Sequence, residues 1–213
     1  RSAVHALVMA PIHASASGQS GPIIDVQRHA SRISTDDGEY KKRVLREMDE
    51  HGVALSLLHL NEPVDVDEWV TKTPSRFLAG PMLPCWQVLT EDRYFCFPEK
   101  KGWPDLAWLE RELASDRIGI LGELTFNYAN VRPDDPRMER YWALAAKYDV
   151  PVAVHTGRGP GPGAPPRDEN CCPDYNEQLG NPELLRPILQ KHPNLRIILQ
   201  HFGAGARPDH LYY

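Results

Sequence analysis

Short apolar runs alternate with longer segments of helical period along most of this chain, and that alternation restricts its fold more than any single motif does. The runs cover residues 23–26, 53–60, 77–83, 118–124, 151–155 and 195–200. Each has strand length and is bounded by Gly, Pro or polar residues. Between them, residues 39–51 place Val44, Leu45 and Met48 on one helical face before Gly52, and residues 66–73 predict a short helix ahead of Pro74. Leu106, Leu109 and Leu113 recur at helical spacing within 103–115. Residues 138–148 follow a Pro-Asp-Asp-Pro turn in which Asp134 or Asp135 is placed to cap a helix beginning at Pro136. Asn181-Pro182 opens a further helix running to about Lys191. Residues 89–102 read as an irregular aromatic excursion, and 157–166 as a glycine- and proline-rich loop long enough to wall an active site. Strand, helix and strand in one repeated direction is the pattern of βα units around a parallel sheet.

Six such units fit either an open doubly wound sheet or part of an eight-stranded barrel. Polar residues at the strand ends favour the barrel, where reactive groups collect on the rim formed by the C-terminal ends of several strands. His29 follows the first run, Glu123 lies near the end of the fourth, His155 ends the fifth and His201 follows the sixth; His59, ending the second, is a weaker candidate with a hydrogen-bonded core role as its alternative. Any one of these reads most simply as a hydrogen-bonded structural residue. Together, imidazoles and a carboxylate at matching strand ends are a set suited to a divalent metal that activates water.

At this point the order of the pieces resembles the amidohydrolase-2 family. The similarity is carried by Ile24-Asp25-Val26-Gln27-Arg28-His29, by Gly122-Glu123, by Pro151 through Gly157 and by Asn181-Pro182-Glu183-Leu184-Leu185. It continues through His192-Pro193-Asn194-Leu195-Arg196 to His201, and the Asp134-Asp135-Pro136-Arg137 turn and the Ala145-Ala146-Lys147-Tyr148 helix end also fit it. The resemblance implies a (β/α)8 TIM-type barrel of the α/β class, incomplete here, with residues 21–213 forming the partial barrel. It implies His29, Glu123, His155 and His201 as metal ligands, with Glu123 and His201 also catalytic. Glu123 falls where the family has a bridging carboxylate or carbamylated lysine. The cofactor implied is a divalent metal, zinc first, and the reaction is hydrolysis of an amide, ester or lactone bond in a small organic substrate. Decarboxylation is the alternative within the family, and a degenerate barrel that only binds is the alternative outside catalysis.

Two departures shape these expectations. Gln27 stands where the family has the first histidine of a strand-one HxH pair, and an amide oxygen is a poorer ligand than imidazole for a zinc-like ion. The aspartate that the family carries after strand eight, as a ligand and proton acceptor, has no counterpart, and neither Asp209 nor His210 is assigned its role. The remaining metal position is therefore expected on Glu123, His155 and His201. For substrate contacts the sequence offers Arg158, a planar bidentate partner for a carboxylate, together with Tyr128, Asn127 and His59. Trp86 and Trp103 read as packing residues.

Composition bounds the partners. A net charge of −5 and the absence of a long Lys/Arg run argue against nucleic acid. Cys85, Cys96, Cys171 and Cys172 have neither CxxC spacing nor the density of a disulfide scaffold. No stretch approaches the roughly 20 apolar residues of a membrane span. Residues 1–20, with an apolar 6–12 followed by Ala14-Ser15-Ala16, resemble the end of a secretory signal peptide, so a periplasmic or secreted location is expected, with a disordered leader and cytoplasmic location as the alternative. Six units leave sheet edges open, which invites association into homo-oligomers, and the sequence reads as a piece of a longer barrel.

Overall fold

Strand β2 (Val53–Leu60) becomes fully buried over its second half, as expected of a parallel strand covered on both faces. In this computed structural model, whose described residues are 21–30, 38–60, 65–73, 75–84, 103–157 and 174–201, β2 lies between β1 (Ile23–His29) and β3 (Phe77–Pro81), all parallel. A second parallel sheet has the order β4 (Leu121–Leu124), β5 (Val152–His155), β6 (Ile197–Gln200). The helices between them are α1 (Glu39–Glu50), α2 (Leu106–Ala114), the single turn α3 (Phe126–Ala129), α4 (Glu139–Lys147) and α5 (Arg186–Lys191). A π-helical turn spans Val66–Thr71, and two 3-10 turns, Glu177–Gly180 and Pro182–Leu185, precede α5.

The two sheets meet at a seam between β3 and β4. Gly119 N–H donates to the Ala79 carbonyl at 3.1 Å, Leu83 N–H to the Glu123 carbonyl at 3.2 Å, and Thr125 N–H to the Leu83 carbonyl at 2.8 Å. A Cβ on Gly80 would stand 1.9 Å from the Ile120 carbonyl oxygen, so the approach requires glycine. At the far ends of the strand order, Gln200 on β6 donates from Nε2 to the Val26 carbonyl on β1 at 3.0 Å. That contact shows the strands curling toward one another, and the architecture is an incomplete α/β barrel.

Two apolar layers result. Outside the strands, Val44 and Met48 of α1, Leu109 and Leu113 of α2, and Trp142 and Ala145 of α4 pack against Leu58, Leu60 and Phe77. Each large side chain buried this way stabilises by about 1.5–3 kcal/mol. Leu57, Ile120 and Ala153 form a second, smaller cluster with Leu78 and Ile198. Alternation along β2 divides Leu57 from Leu58 between the two layers. Ile24 and Val26 on β1 and Leu199 on β6, the strands ending the order, stay exposed. Among the described residues no helix is long and apolar enough to cross a membrane.

Several boundaries move from their sequence positions. Ile118, Gly119 and Ile120 precede β4, because Gly119 bonds β3 before β4 engages β5. The third strand stops at Pro81, with Leu83 making an isolated bridge to Leu124. The fourth major helix begins at Glu139 and not Pro136: the Asp135 carboxylate closes the turn ahead of it, accepting from Arg137 N–H at 2.9 Å, and does not cap the helix. Residues 1–20, the four cysteines, Trp86, the 89–102 excursion, the 158–166 part of the glycine-rich loop, Asp209 and His210 lie outside the described residues.

Candidate metal centre

Glu123 stands near the end of β4, His155 ends β5, and His201 immediately follows β6. Gly122 sets the first of these. Its φ of +123° is one that side-chain-bearing residues rarely adopt, and a Cβ there would meet the Ala153 carbonyl oxygen at 2.4 Å, so glycine brings β4 against β5 just before Glu123. Register pairs His155 with Gln200, which sets His201 one residue beyond the end of the ladder. The Thr156 backbone N–H and hydroxyl both donate to the Gln200 carbonyl and tie these ends together.

The three side chains converge. Glu123 Oε1 lies 2.8 Å from His155 Nδ1 and 3.5 Å from His201 Nε2, and the two imidazole rings are 4.4 Å apart. Glu123 is 2% exposed and His155 8%. Burial by itself would push the Glu123 carboxyl up, yet the hydrogen bonds of His155 and His201 and the charges of His155 and His29 outweigh it and hold the group well below the usual carboxylate range. Glu123 is thus a buried anion at neutral pH.

Other strand-end residues surround this core. His29 Nε2 lies 3.4 Å from the opposite oxygen, Glu123 Oε2, with its side chain about half exposed, and its Nδ1 faces the Met82 sulfur at 3.3 Å. His59, the register partner of His29, is fully buried, with Nε2 2.7 Å from Gln200 Nε2. Burial pushes His59 down to about 4, so it is neutral near pH 7. Of the two readings for His59, substrate contact or hydrogen-bonded core residue, the structure shows the second: it has no accessible surface, and Gln200 bonds it on one side and the β1 backbone on the other. Tyr128 stands edge-on to His155, ring centroids 5.1 Å apart, and Tyr175 stands edge-on to Tyr128 at 5.6 Å. Asn127 is buried beneath them, its side-chain amide donating to the Gly157 carbonyl at 3.4 Å while its backbone carbonyl accepts from Asn176 N–H at 2.8 Å. Trp103 packs on Tyr141 at 5.6 Å, under Arg137. Arg158 lies outside the described residues.

Sequence reasoning missed Gln200, Tyr175 and the buried position of Asn127. Gln200 carried a signal, a polar residue closing an apolar strand. Tyr175 carried none, since it lies beyond a long loop and no periodicity marks its approach to Tyr128.

The donor set fits a divalent ion. One ligand atom each from Glu123, His155 and His201 lies within 4.8 Å of the others. Metal–ligand distances of about 2.0–2.2 Å bring ligand atoms about 3–3.5 Å apart, close to the separations found here. The other ring nitrogen of His155, Nε2, is buried with no hydrogen-bond partner among the described residues, an arrangement that costs about 1–3 kcal/mol unless something satisfies it.

The family model described as Amidohydrolase matches residues 24–212. The chain belongs to this family of enzymes. No curated protein matches it at a comparable level. Among solved structures it is similar to 2,6-dihydroxybenzoate decarboxylase from Rhizobium, with 21% identity and TM-score 0.51 over 85% of this chain and 67% of that one. It is also similar to 5-carboxyvanillate decarboxylase from Sphingomonas paucimobilis, with 15% identity, TM-score 0.50 and coverage of 85% and 68%. A third is dihydroxybenzoic acid decarboxylase from Polaromonas sp. JS666, solved with manganese and the inhibitor 2-nitroresorcinol, with 19% identity, TM-score 0.50 and coverage of 85% and 66%. The chain spans about two thirds of their length, and at these identities the likeness establishes the barrel fold.

Proposed function

We propose that Glu123, His155 and His201 hold one divalent metal ion, and that the chain uses it to transform a small organic substrate carrying a carbonyl or carboxylate. The observation that carries this reading is the buried Glu123 carboxylate with two imidazoles at 2.8 and 3.5 Å on one oxygen. A bound ion supplies Lewis acidity and lowers the pKa of a water molecule. The protein's own groups supply the rest. Glu123 orients His155 and balances the ion's charge, His29 approaches from the second carboxylate oxygen as a further ligand, and His201 stands at the accessible side. Arg158 is the proposed anchor for a substrate carboxylate.

Hydrolysis of an amide, ester or lactone bond is the first reading, with zinc the ion suited to the imidazole and carboxylate donors and manganese the ion bound in a similar fold. Decarboxylation of an aromatic acid is favoured by one specific observation: Tyr128 and Tyr175 build an aromatic wall against His155, suited to a planar ring. The decarboxylases among the similar folds support the same reading.

Metal analysis of the purified chain and of His155→Ala tests the centre. The expected result is about one ion per chain, lost in the variant; unchanged stoichiometry overturns the assignment. Parallel assays with aryl esters and lactones, and with dihydroxybenzoates followed by carbon dioxide release, separate the two reactions. Metal binding without turnover of either class would favour a degenerate barrel that only binds.

A further inference from the structure

Gln27 occupies β1 two residues before His29, within the stretch between Asp25 and Arg28 where the β1–β2 register shifts. Its side-chain amide crosses to the far strands. Gln27 Nε2 lies 2.8 Å from His201 Nε2 and donates toward Glu123 Oε1 at 3.5 Å. The segment beneath it is held in place: Asp25 accepts from Gln27 N–H at 3.2 Å, from Arg28 Nε at 3.1 Å and from Ser56 Oγ on β2 at 2.9 Å. The amide therefore meets the same two atoms of Glu123 and His201 that face each other in the three-residue group. A primary amide has two chemical faces, an NH2 that donates and a carbonyl oxygen that ligates, and rotation about its terminal bond exchanges them.

We propose that Gln27 is a further side chain of the metal centre, giving its amide oxygen to the ion and narrowing zinc's advantage over harder ions such as Mn2+. The inference rests on the metal-centre reading above. Carbonyl oxygen suits Mn2+ and Mg2+, whereas an imidazole at the same position would strengthen zinc selectively. With no ion bound, the NH2 face holds His201 and Glu123 together; with an ion bound, the oxygen face turns to it. Exchange between the two states needs only rotation of the amide, since the β1 backbone is fixed through Asp25. The strand-one departure from the family pattern is thus a change of ligand chemistry at a position that still reaches the centre.

Calorimetric titration of metal-stripped chain with Mn2+ and with Zn2+, for the native protein, Gln27→Ala and Gln27→His, tests this. Gln27→Ala is expected to lose Mn2+ affinity by about tenfold or more and Zn2+ affinity by less. Gln27→His is expected to widen the ratio of zinc to manganese affinity by about tenfold or more. Mn2+ affinity in Gln27→Ala within twofold of native overturns the proposal, and so does a gain for both ions, which would make the amide a competitor for His201. Should circular dichroism show Gln27→Ala unfolded, Gln27→His decides: an unchanged ratio overturns it. Failure of the native chain to bind either ion overturns the metal centre itself, and this inference with it; normal native binding with indifferent variants overturns this inference alone.

Discussion

His155 Nδ1 stands 2.8 Å from Glu123 Oε1 in a pair that is almost wholly buried, and the two residues come from neighbouring parallel strands. An anion held that far from water persists only through such partners. Glu123→Gln keeps the shape, removes the charge and leaves one carbonyl oxygen as donor. Its affinity for divalent ions is expected to fall by at least about 100-fold, measured by calorimetry with Mn2+ and Zn2+. A change of less than twofold would sink the role given to Glu123.

Gly80 tests the seam between the two sheets. Any side chain there meets the Ile120 backbone, which cannot move without parting β3 from β4. Gly80→Ala is expected to destabilise the fold by about 2–3 kcal/mol, read from the midpoint of urea unfolding. Native-like stability would show that the seam is looser than its hydrogen bonds indicate.

Tyr141 offers a pH test away from the site. Its hydroxyl donates to the Pro104 carbonyl at 2.6 Å, and burial pushes the phenol up to about 12 from the ordinary 10. A group whose folded pKa is raised stabilises fully below its unfolded pKa and loses that contribution as pH rises through the folded one. Stability should therefore fall between about pH 10 and 12 through this residue. Tyr141→Phe should cost about 1–3 kcal/mol at neutral pH, by stranding the Pro104 carbonyl, and should flatten that alkaline slope. An alkaline profile identical in the two proteins would refute the assignment.

Asp105 caps α2, accepting from Trp108 N–H at 2.8 Å. Asp105→Ala is expected to cost about 1 kcal/mol, whereas Asp105→Ser should recover most of it. Equal losses in both variants would point to something other than capping.

Much of the barrel was legible along the chain because a parallel strand buried on both faces is a mostly apolar run of strand length. Residues 53–60 and the spacing of Leu109 and Leu113 carried those elements directly. The short turn α3 was not legible, since four residues after Thr125 have too little length for a helical period. At the site, Glu123, His155 and His201 were legible as strand-end residues, and the structure brings them together. His59 shared that signal yet turned into the core, because position along a strand does not say whether a neighbour will fill the space beyond it.

What the sequence determined by itself is therefore the order and type of elements, the rim on which the reactive residues stand, and the family to which the chain belongs. These depend on local period and on residues within a strand or two of one another. Tertiary structure alone decided that Gln200 meets His59 in the core, that Tyr175 stands edge-on to Tyr128, and that Gln27 reaches His201 across 174 positions of sequence. Those contacts arise when the strands curl and bring β6 back toward β1, and no local pattern encodes the distance that curvature closes.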